Sequence, residues 1–336
     1  MTLDPAEAAL AAGRWVKWIA GASNQDLASI EDLAGIYALA GVHCVDVAAD
    51  AAVVAATRRG LAWAAARGAG RPWLMLSLSD GQDPHFRKAW FDPDRCPADC
   101  ARPCERVCPA LAIGEQATGA PGVLAERCYG CGRCLPACPL GLIEERGRVL
   151  APAAVAPLLR QLRPDAVELH TQAGRQQAFE ARLEQVRASG VVLHRLAVSA
   201  GAEVDGAELW QRFAALRQRG FRPLWQLDGR PMTGDVGAGT ARAAVALLAR
   251  RRAAMPPGPL QLAGGTNGRS LALLEARAAE RRHGAGVAFG GVARRLLQPL
   301  LLRAQGRGLG LLQAPDLWPE ALALARQLVA PWLERT

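Results

Sequence analysis

The sequence predicts an α/β chain: a TIM-like (β/α)8 barrel interrupted after its third strand by a small cysteine-rich α+β insert. Two observations carry this. Outside positions 92–148, short apolar runs alternate with longer amphipathic stretches, the rhythm of a parallel sheet whose strands are joined by helices. Inside that interval the rhythm stops, and eight of the nine cysteines gather between positions 96 and 138 in two runs that each end in Cys-Pro. The expected organisation is 1–91 as the first part of the barrel with three βα units, 92–148 as the insert, and 149–336 as the remainder of the barrel.

Taken in order, strands are expected at Trp15–Ala20, Val42–Ala48 and Trp73–Leu78 before the insert. After it they are expected at Ala166–His170, Val191–Ala197, Pro223–Leu227, Pro259–Ala263 and Gly286–Phe289. Helical patterns fall between most of them, at Leu27–Ala40, Ala52–Ala66, Phe179–Ala188, Glu208–Gln218, Ala241–Arg252 and Ser270–Arg281. Gly41, Gly190 and Gly220 stand where helices stop before the next strand. Eight strands suit a closed barrel; an open doubly wound sheet is the alternative use of the same elements.

The insert carries the chemistry. Its second run, Cys128-Tyr-Gly-Cys131-Gly-Arg-Cys134-Leu-Pro-Ala-Cys138-Pro139, is C-x2-C-x2-C-x3-C-P, the ligand spacing of bacterial ferredoxins that hold [4Fe–4S] clusters. The first run, Cys96, Cys100, Cys104, Cys108 and Pro109, has x3 gaps throughout. A tight loop can deliver three thiolates to a cubane, and in two-cluster ferredoxins the fourth Cys serves the other cluster. The spacing therefore assigns Cys128, Cys131 and Cys134 with Cys108 to one cluster, and Cys96, Cys100 and Cys104 with Cys138 to the other. The tails repeat as well, Cys108-Pro-Ala-Leu-Ala-Ile113 against Cys138-Pro-Leu-Gly-Leu-Ile143, as a pseudo-two-fold bacterial-type ferredoxin unit requires. Structural zinc favours C-x2-C pairs with longer gaps between them, and disulfides are uncommon in a reducing compartment. The widened first run leaves open whether Cys96 and Cys100 both ligate, and hence whether one cluster is [3Fe–4S].

Composition bounds the rest. A chain of 336 residues, half of them apolar, can bury a sizeable core. The formal charge of +9 counts the cysteines as neutral. Two oxidised cubanes with four thiolates each add about −2 apiece, which leaves roughly +5. Lys17 and Lys88 are the only lysines, and the Arg-rich stretches at Arg250–Arg252 and around Arg277, Arg281 and Arg282 read as solvated helix faces. Nothing matches a nucleic-acid-binding motif, so no nucleic-acid partner is expected. The N-terminus, Met1-Thr-Leu-Asp-Pro-Ala-Glu7, lacks the basic and apolar regions of a signal peptide. No apolar run reaches the roughly 18–20 residues a transmembrane helix needs; the leucines near Leu296–Leu302 are broken by Gln298 and Pro299. A cytoplasmic protein without a transmembrane segment is the expectation.

In a barrel of this kind, function gathers at the C-terminal ends of the strands. Polar residues expected there are Asp46, Asp50, His170, Thr171, Asp228, Arg230, Thr266 and Asn267, and the chain enters the insert through Ser77-Leu-Ser-Asp-Gly-Gln-Asp83-Pro-His85-Phe-Arg87. These form either a pocket or the polar rim any barrel has. Gly264, Gly265 and Asn267 after the seventh strand, with Gly290 and Gly291 after the eighth, precede helices. Backbone N–H groups at such helix starts can accept the phosphate of a flavin or another phosphorylated ligand, or the glycines serve only as tight turns. Cys44, His43, His194 and His283 read as packing or surface residues, and Trp90 as a shield for a cluster.

Several stretches resemble one family. They are Gly13-Arg-Trp15-Val-Lys17 with Ile19-Ala-Gly-Ala-Ser23, Cys44-Val-Asp46-Val-Ala-Ala-Asp50, and Asp80-Gly-Gln-Asp83-Pro-His85-Phe-Arg87-Lys88. The run Cys96-Pro-Ala-Asp99-Cys100-Ala-Arg-Pro103-Cys104-Glu105 and the second cysteine run complete the likeness. Together they resemble the light-dependent period iron–sulfur (LdpA) family of cyanobacteria over nearly the whole chain. The resemblance implies a redox-active iron–sulfur protein on the input pathway of the circadian clock, with clock-input kinases and core clock components as partners. It implies the eight cysteines as ligands and the barrel as scaffold, sensor or docking surface.

Three functions then compete. A non-catalytic redox sensor or electron carrier follows from a complete eight-Cys block without a catalytic triad, Walker motif or Rossmann fingerprint. An oxidoreductase, with the clusters feeding a flavin or substrate at the barrel mouth, follows from the glycine turns and strand-end polar residues. The third is an interaction module in which the clusters only stabilise the fold.

Overall fold

The computed structural model describes residues 4–115, 121–147, 149–230 and 237–336. Met1–Leu3 of the N-terminal reading and position 148, where the insert is expected to end, lie outside them.

Twelve strands are present among the described residues. Before the insert come β1 (Trp15–Gly21), β2 (Cys44–Ala48) and β3 (Trp73–Ser79). β4 (Arg87–Trp90) lies just ahead of the expected boundary at 92, and β5 (Ile113–Glu115), β6 (Pro121–Val123) and β7 (Glu144–Gly147) lie within the insert. After it follow β8 (Ala166–His170), β9 (Arg195–Ser199), β10 (Pro223–Asp228), β11 (Leu260–Ala263) and β12 (Gly284–Phe289). Eight of them close a parallel barrel in the order β1-β12-β11-β10-β9-β8-β3-β2, which settles barrel against open sheet. Asp26 and Asp50 cap the helices Leu27–Ala40 and Ala51–Ala65 through their side chains, and Gly41 ends the first of these at φ 101°, a left-handed value that suits glycine.

The barrel interior changes character along its axis. At the N-terminal end Trp15, Cys44, Trp73, Met75, Ala166 and Leu224 pack together, and Ala6 and Leu10 of the helix Pro5–Ala11 close the bottom. One step up, the inward side chains turn polar: Lys17, Asp46, Ser77, Glu168, Gln226 and Gln261 are all buried. The helices cover the outside of the barrel with Leu, Val and Ala side chains.

Between β3 and β8 the chain builds two small antiparallel pairs. β4 pairs with β7, Trp90 opposite Glu144, and β5 pairs with β6, Ile113 opposite Val123. The β4–β7 pair brings the insert's exit back beside its entry, so the barrel continues through the helix Pro152–Leu162 into β8.

Two expected elements differ. The helix expected over Ser270–Arg281 is broken into Ser270–Glu275 and Ala278–Arg281, with Arg277 at φ −118° and ψ 88°. Only Ser270 and Leu274 are buried along these two pieces, too narrow an apolar face to hold a longer helix. The strand expected over Val191–Ala197 begins at Arg195; Val192, at 91% exposure, runs over the rim instead of joining the sheet.

Candidate metal centres and barrel mouth

The cysteine runs fold as loops that each end in a single helical turn, Pro103–Arg106 carrying Cys104 and Cys134–Ala137 carrying Cys134, and the two turns pack on each other. Gly130 and Gly132 in the second loop sit at φ 71° and 74°. A Cβ at Gly130 would stand 2.1 Å from the Arg87 carbonyl oxygen, so the loop closes over β4 only with glycine there.

Cys108, Cys128, Cys131 and Cys134 line one cavity, walled by Ala89, Ala112, Ile113 and Leu135. Around the other group, charge repulsion from Cys100 and Cys138 adds to burial in raising Cys96, and Cys138 likewise raises the buried Cys104. Backbone N–H groups donate to sulfur: Ala89 to Cys128 Sγ at 3.3 Å, Ala112 to Cys108 Sγ at 3.2 Å, and Leu142 to Cys138 Sγ at 3.4 Å. The N–H of Leu142 and its neighbours hold the Cys138 thiol below its ordinary value although burial opposes them. Burial, reinforced by Cys131, Cys128 and Cys108, pushes Cys134 up to about 12. Several thiols facing one another cannot all ionise until a cation balances them, and cluster iron supplies that balance. All nine cysteines are free thiols, and Cys44 is fully buried in the lower barrel core. The donor set, its N–H···S bonds and its apolar walls fit an iron–sulfur group.

Tyr129 separates this cavity from a second one at the C-terminal mouth of the barrel, about 150 Å³ in volume, and lines both. Arg294, on the helix Gly291–Gln305, lies 5.4 Å from the Tyr129 ring centre and donates to the Ala20 carbonyl at 2.7 Å. Gly264, Gly265, Gly290 and Gly291 are on the mouth cavity's wall. Asn267 is buried inside its own loop, where its amide donates to Thr240 Oγ1 at 3.2 Å and its oxygen accepts from the Arg269 N–H.

Of the strand-end residues, His170, Asp228, Arg230 and Thr266 line the mouth cavity, and Asp50 is a helix cap. Asp46 lies deeper, accepting from Lys17 Nζ at 2.9 Å and from the Ser77 hydroxyl at 2.8 Å. Lys17 also donates to Glu168 and, at 2.8 Å, to Gln226. Burial opposes the charge on Lys17, yet Asp46 and Glu168 hold its pKa above the ordinary lysine value. Glu168 is likewise held well below the carboxylate range, against its burial, by Lys17 and His170. For His170 burial is outweighed by Glu168 and Asp83, which push it up to about 9. Burial and the nearby Glu168 raise Asp228 to about 6. Sequence reading missed Lys17 and Glu168 as site residues; the available signal was a charge at the centre of each of two largely apolar strands, Trp15-Val-Lys-Trp-Ile and Ala166-Val-Glu-Leu-His.

Comparison with known proteins adds the family. Residues 96–149 match the LdpA Fe–S cluster-binding domain, and residues 158–331 match the light dependent period A C-terminal domain. The chain is 46% identical over 329 residues to light dependent period A of Synechococcus elongatus, covering 96% of this chain and 92% of that one. An uncharacterized ferredoxin of Methanocaldococcus jannaschii is 38% identical over 66 residues, 20% of this chain and 43% of its own. Among solved structures, tryptophan synthase subunit alpha from Legionella pneumophila superposes at a TM-score of 0.41 and 12% identity over the full length of both chains. The barrel assignment rests on the strand pairing and not on that likeness. No helix of the described residues is long and apolar enough to cross a membrane. By its identity along nearly the whole length and by both domain matches, the chain belongs to the light dependent period A (LdpA) family.

Proposed function

We propose that this chain is a non-catalytic redox sensor and electron-transfer protein of the cytoplasm. On this reading it holds two [4Fe–4S] clusters in the 92–148 unit and reports light-dependent redox state to the circadian clock. One observation carries the reading: the thiols gather across the two runs, Cys108 with Cys128, Cys131 and Cys134 on one cavity, and Cys138 beside Cys96 and Cys104. On this reading each group takes its fourth ligand from the other run, the exchange that a two-cluster ferredoxin uses. In the first group Cys96, Cys100 and Cys138 are half-buried and Cys104 is buried. In the second Cys108 and Cys131 are half-buried and Cys128 and Cys134 are buried, so the first group is the more open by one thiol. The first cluster would therefore meet external donors, and the second would pass the electron inward toward Tyr129. The clock connection, with kinases and core clock components as partners, follows from the family and from the name of the Synechococcus relative.

A reductive titration of anaerobically purified protein tests this, followed by absorbance and electron paramagnetic resonance. The expected result is about eight irons per chain and a broad absorbance band that bleaches reversibly. About seven irons with a three-iron signal would mean that Cys96 or Cys100 is not a ligand, while leaving the sensor reading in place. Clusters that stay oxidised throughout the cellular potential range would overturn it in favour of a purely structural role.

The shared Tyr129 wall favours a second reading, an oxidoreductase whose clusters feed a flavin or substrate in the mouth cavity. Gly264, Gly265, Gly290 and Gly291 would then present backbone to the flavin phosphate, with Asn267 shaping their loop. Flavin bands bleaching alongside the cluster band in the same titration would select it.

A further inference from the structure

Three donor atoms converge at the barrel mouth outside the cysteine groups. A carboxylate oxygen of Asp83 and one imidazole nitrogen each from His85 and His170 lie within 4.8 Å of one another. His85 Nδ1 is 2.7 Å from Asp83 Oδ1, and His170 Nδ1 is 4.0 Å from the same oxygen. In a tetrahedral site with bonds of about 2.0–2.1 Å, neighbouring donors stand about 3.3 Å apart. The two spacings to Asp83 straddle that value. Seating an ion parts the hydrogen-bonded His85 and Asp83 by about 0.6 Å, with loss of the shared proton, and draws His170 in by about 0.7 Å. It also closes the imidazole pair, within 4.8 Å, by up to about 1.5 Å.

We propose that Asp83, His85 and His170 form a third metal centre, which binds one divalent first-row transition-metal ion independently of the cysteine clusters. The surroundings of His170 support this beyond the convergence itself. Its other ring nitrogen, Nε2, lies 3.1 Å from Glu168 Oε1, the outer carboxylate that typically orients a metal-bound imidazole. Glu168 is itself 1% exposed and fixed by Lys17 and by the Gln226 amide. The Phe86 ring meets the His170 ring edge-on at 5.3 Å and limits its rotation. Asp83 is held too, because its Oδ1 accepts the His85 backbone N–H at 2.9 Å as the cap of the turn Pro84–Phe86.

Two imidazoles and one carboxylate suit zinc, iron(II) or cobalt(II) better than calcium or magnesium. Three protein ligands leave coordination positions open, the arrangement of catalytic rather than structural sites. His85 and His170 both line the mouth cavity, so those positions face it, with Asp228 and Arg230 on the same wall. A small molecule with a carboxylate or carbonyl oxygen would complete the coordination there.

The test uses cluster-loaded protein equilibrated anaerobically with Zn2+ and then freed of excess metal. Zinc and iron are counted separately by mass spectrometry, and zinc K-edge absorption reads the ligands. The expected result is about one zinc per chain with nitrogen and oxygen ligands near 2.0–2.1 Å and no sulfur near 2.3 Å. His85→Ala, at a half-buried position, should weaken zinc binding at least ~10-fold with iron content unchanged. Glu168→Gln should weaken it about 10–100-fold as the outer partner is lost. Failure to retain zinc at micromolar concentration, sulfur ligation, or wild-type affinity in His85→Ala would reduce the three residues to a hydrogen-bonded rim. The iron count reads the clusters separately, so either centre can fail without the other.

Discussion

Lys17→Met removes the cation at the middle of the barrel while keeping an unbranched side chain of similar length. Lys17 is 0% exposed and its partners Asp46 and Glu168 are each 1% exposed, so solvent screens neither ion pair. Removing one partner of a buried pair leaves uncompensated charge and costs about 3–5 kcal/mol. At the lower end of ~2–4 °C per kcal/mol, appropriate to a chain this long, the thermal midpoint should fall by roughly 6–10 °C. The loss should depend on pH in a definite sense. Burial already raises Asp46, and without Lys17 its folded pKa rises further above the unfolded value of about 3.9. The folded variant then keeps a proton that the unfolded chain has released, so its stability falls as pH rises toward that folded pKa. Anaerobic thermal unfolding by far-ultraviolet circular dichroism at pH 5.5 and pH 8 measures both effects, with iron content as the control for the insert. A loss below about 1 kcal/mol would refute the argument, as would a deficit no larger at pH 8 than at pH 5.5.

Gly130→Ala should prevent the Cys128–Cys134 loop from closing, because the residue sits at φ 71° and the new Cβ would meet the Arg87 carbonyl oxygen at 2.1 Å. Iron should drop by about half with the barrel's circular dichroism retained, and wild-type iron content would contradict this. His43 accepts the Val16 N–H at Nδ1, 3.1 Å away, and burial, aided by Arg14, lowers its pKa to about 4. Its contribution is complete above the unfolded value of about 6.5 and is lost as pH falls through about 4. His43→Gln should therefore flatten the fall of the thermal midpoint across that window, and an unchanged slope would count against the assignment.

Local signals made most of the barrel legible. Ala166–His170 and Leu27–Ala40 have in the structure the bounds their patterns give, because an apolar run of strand length or a capped helical stripe is decided within its own residues. Polar residues facing inward were harder to read. Lys17 looks like a strand-edge charge until the register places it opposite Cys44, within reach of Asp46, and brings Glu168 across the barrel interior. His85 and His170 meet only because the insert's entry loop folds back over the end of β8, which no local spacing encodes. The Ser270–Arg281 pattern misled for the opposite reason: helix-forming residues were present, but the fold offered that segment little to bury against.

Closure between β1 and β12 fixes an order of events during synthesis. Trp15–Trp18 pair with Gly286–Phe289, and Gly286 has a glycine's clearance because a Cβ there would stand 2.1 Å from the Trp15 carbonyl oxygen. The first strand therefore waits with an open edge until Gly286–Phe289 have left the ribosome. By then all eight insert cysteines have long emerged. Iron delivery can thus precede barrel closure, and a loaded loop bearing Tyr129 would already stand against Gly21, at the end of that waiting strand.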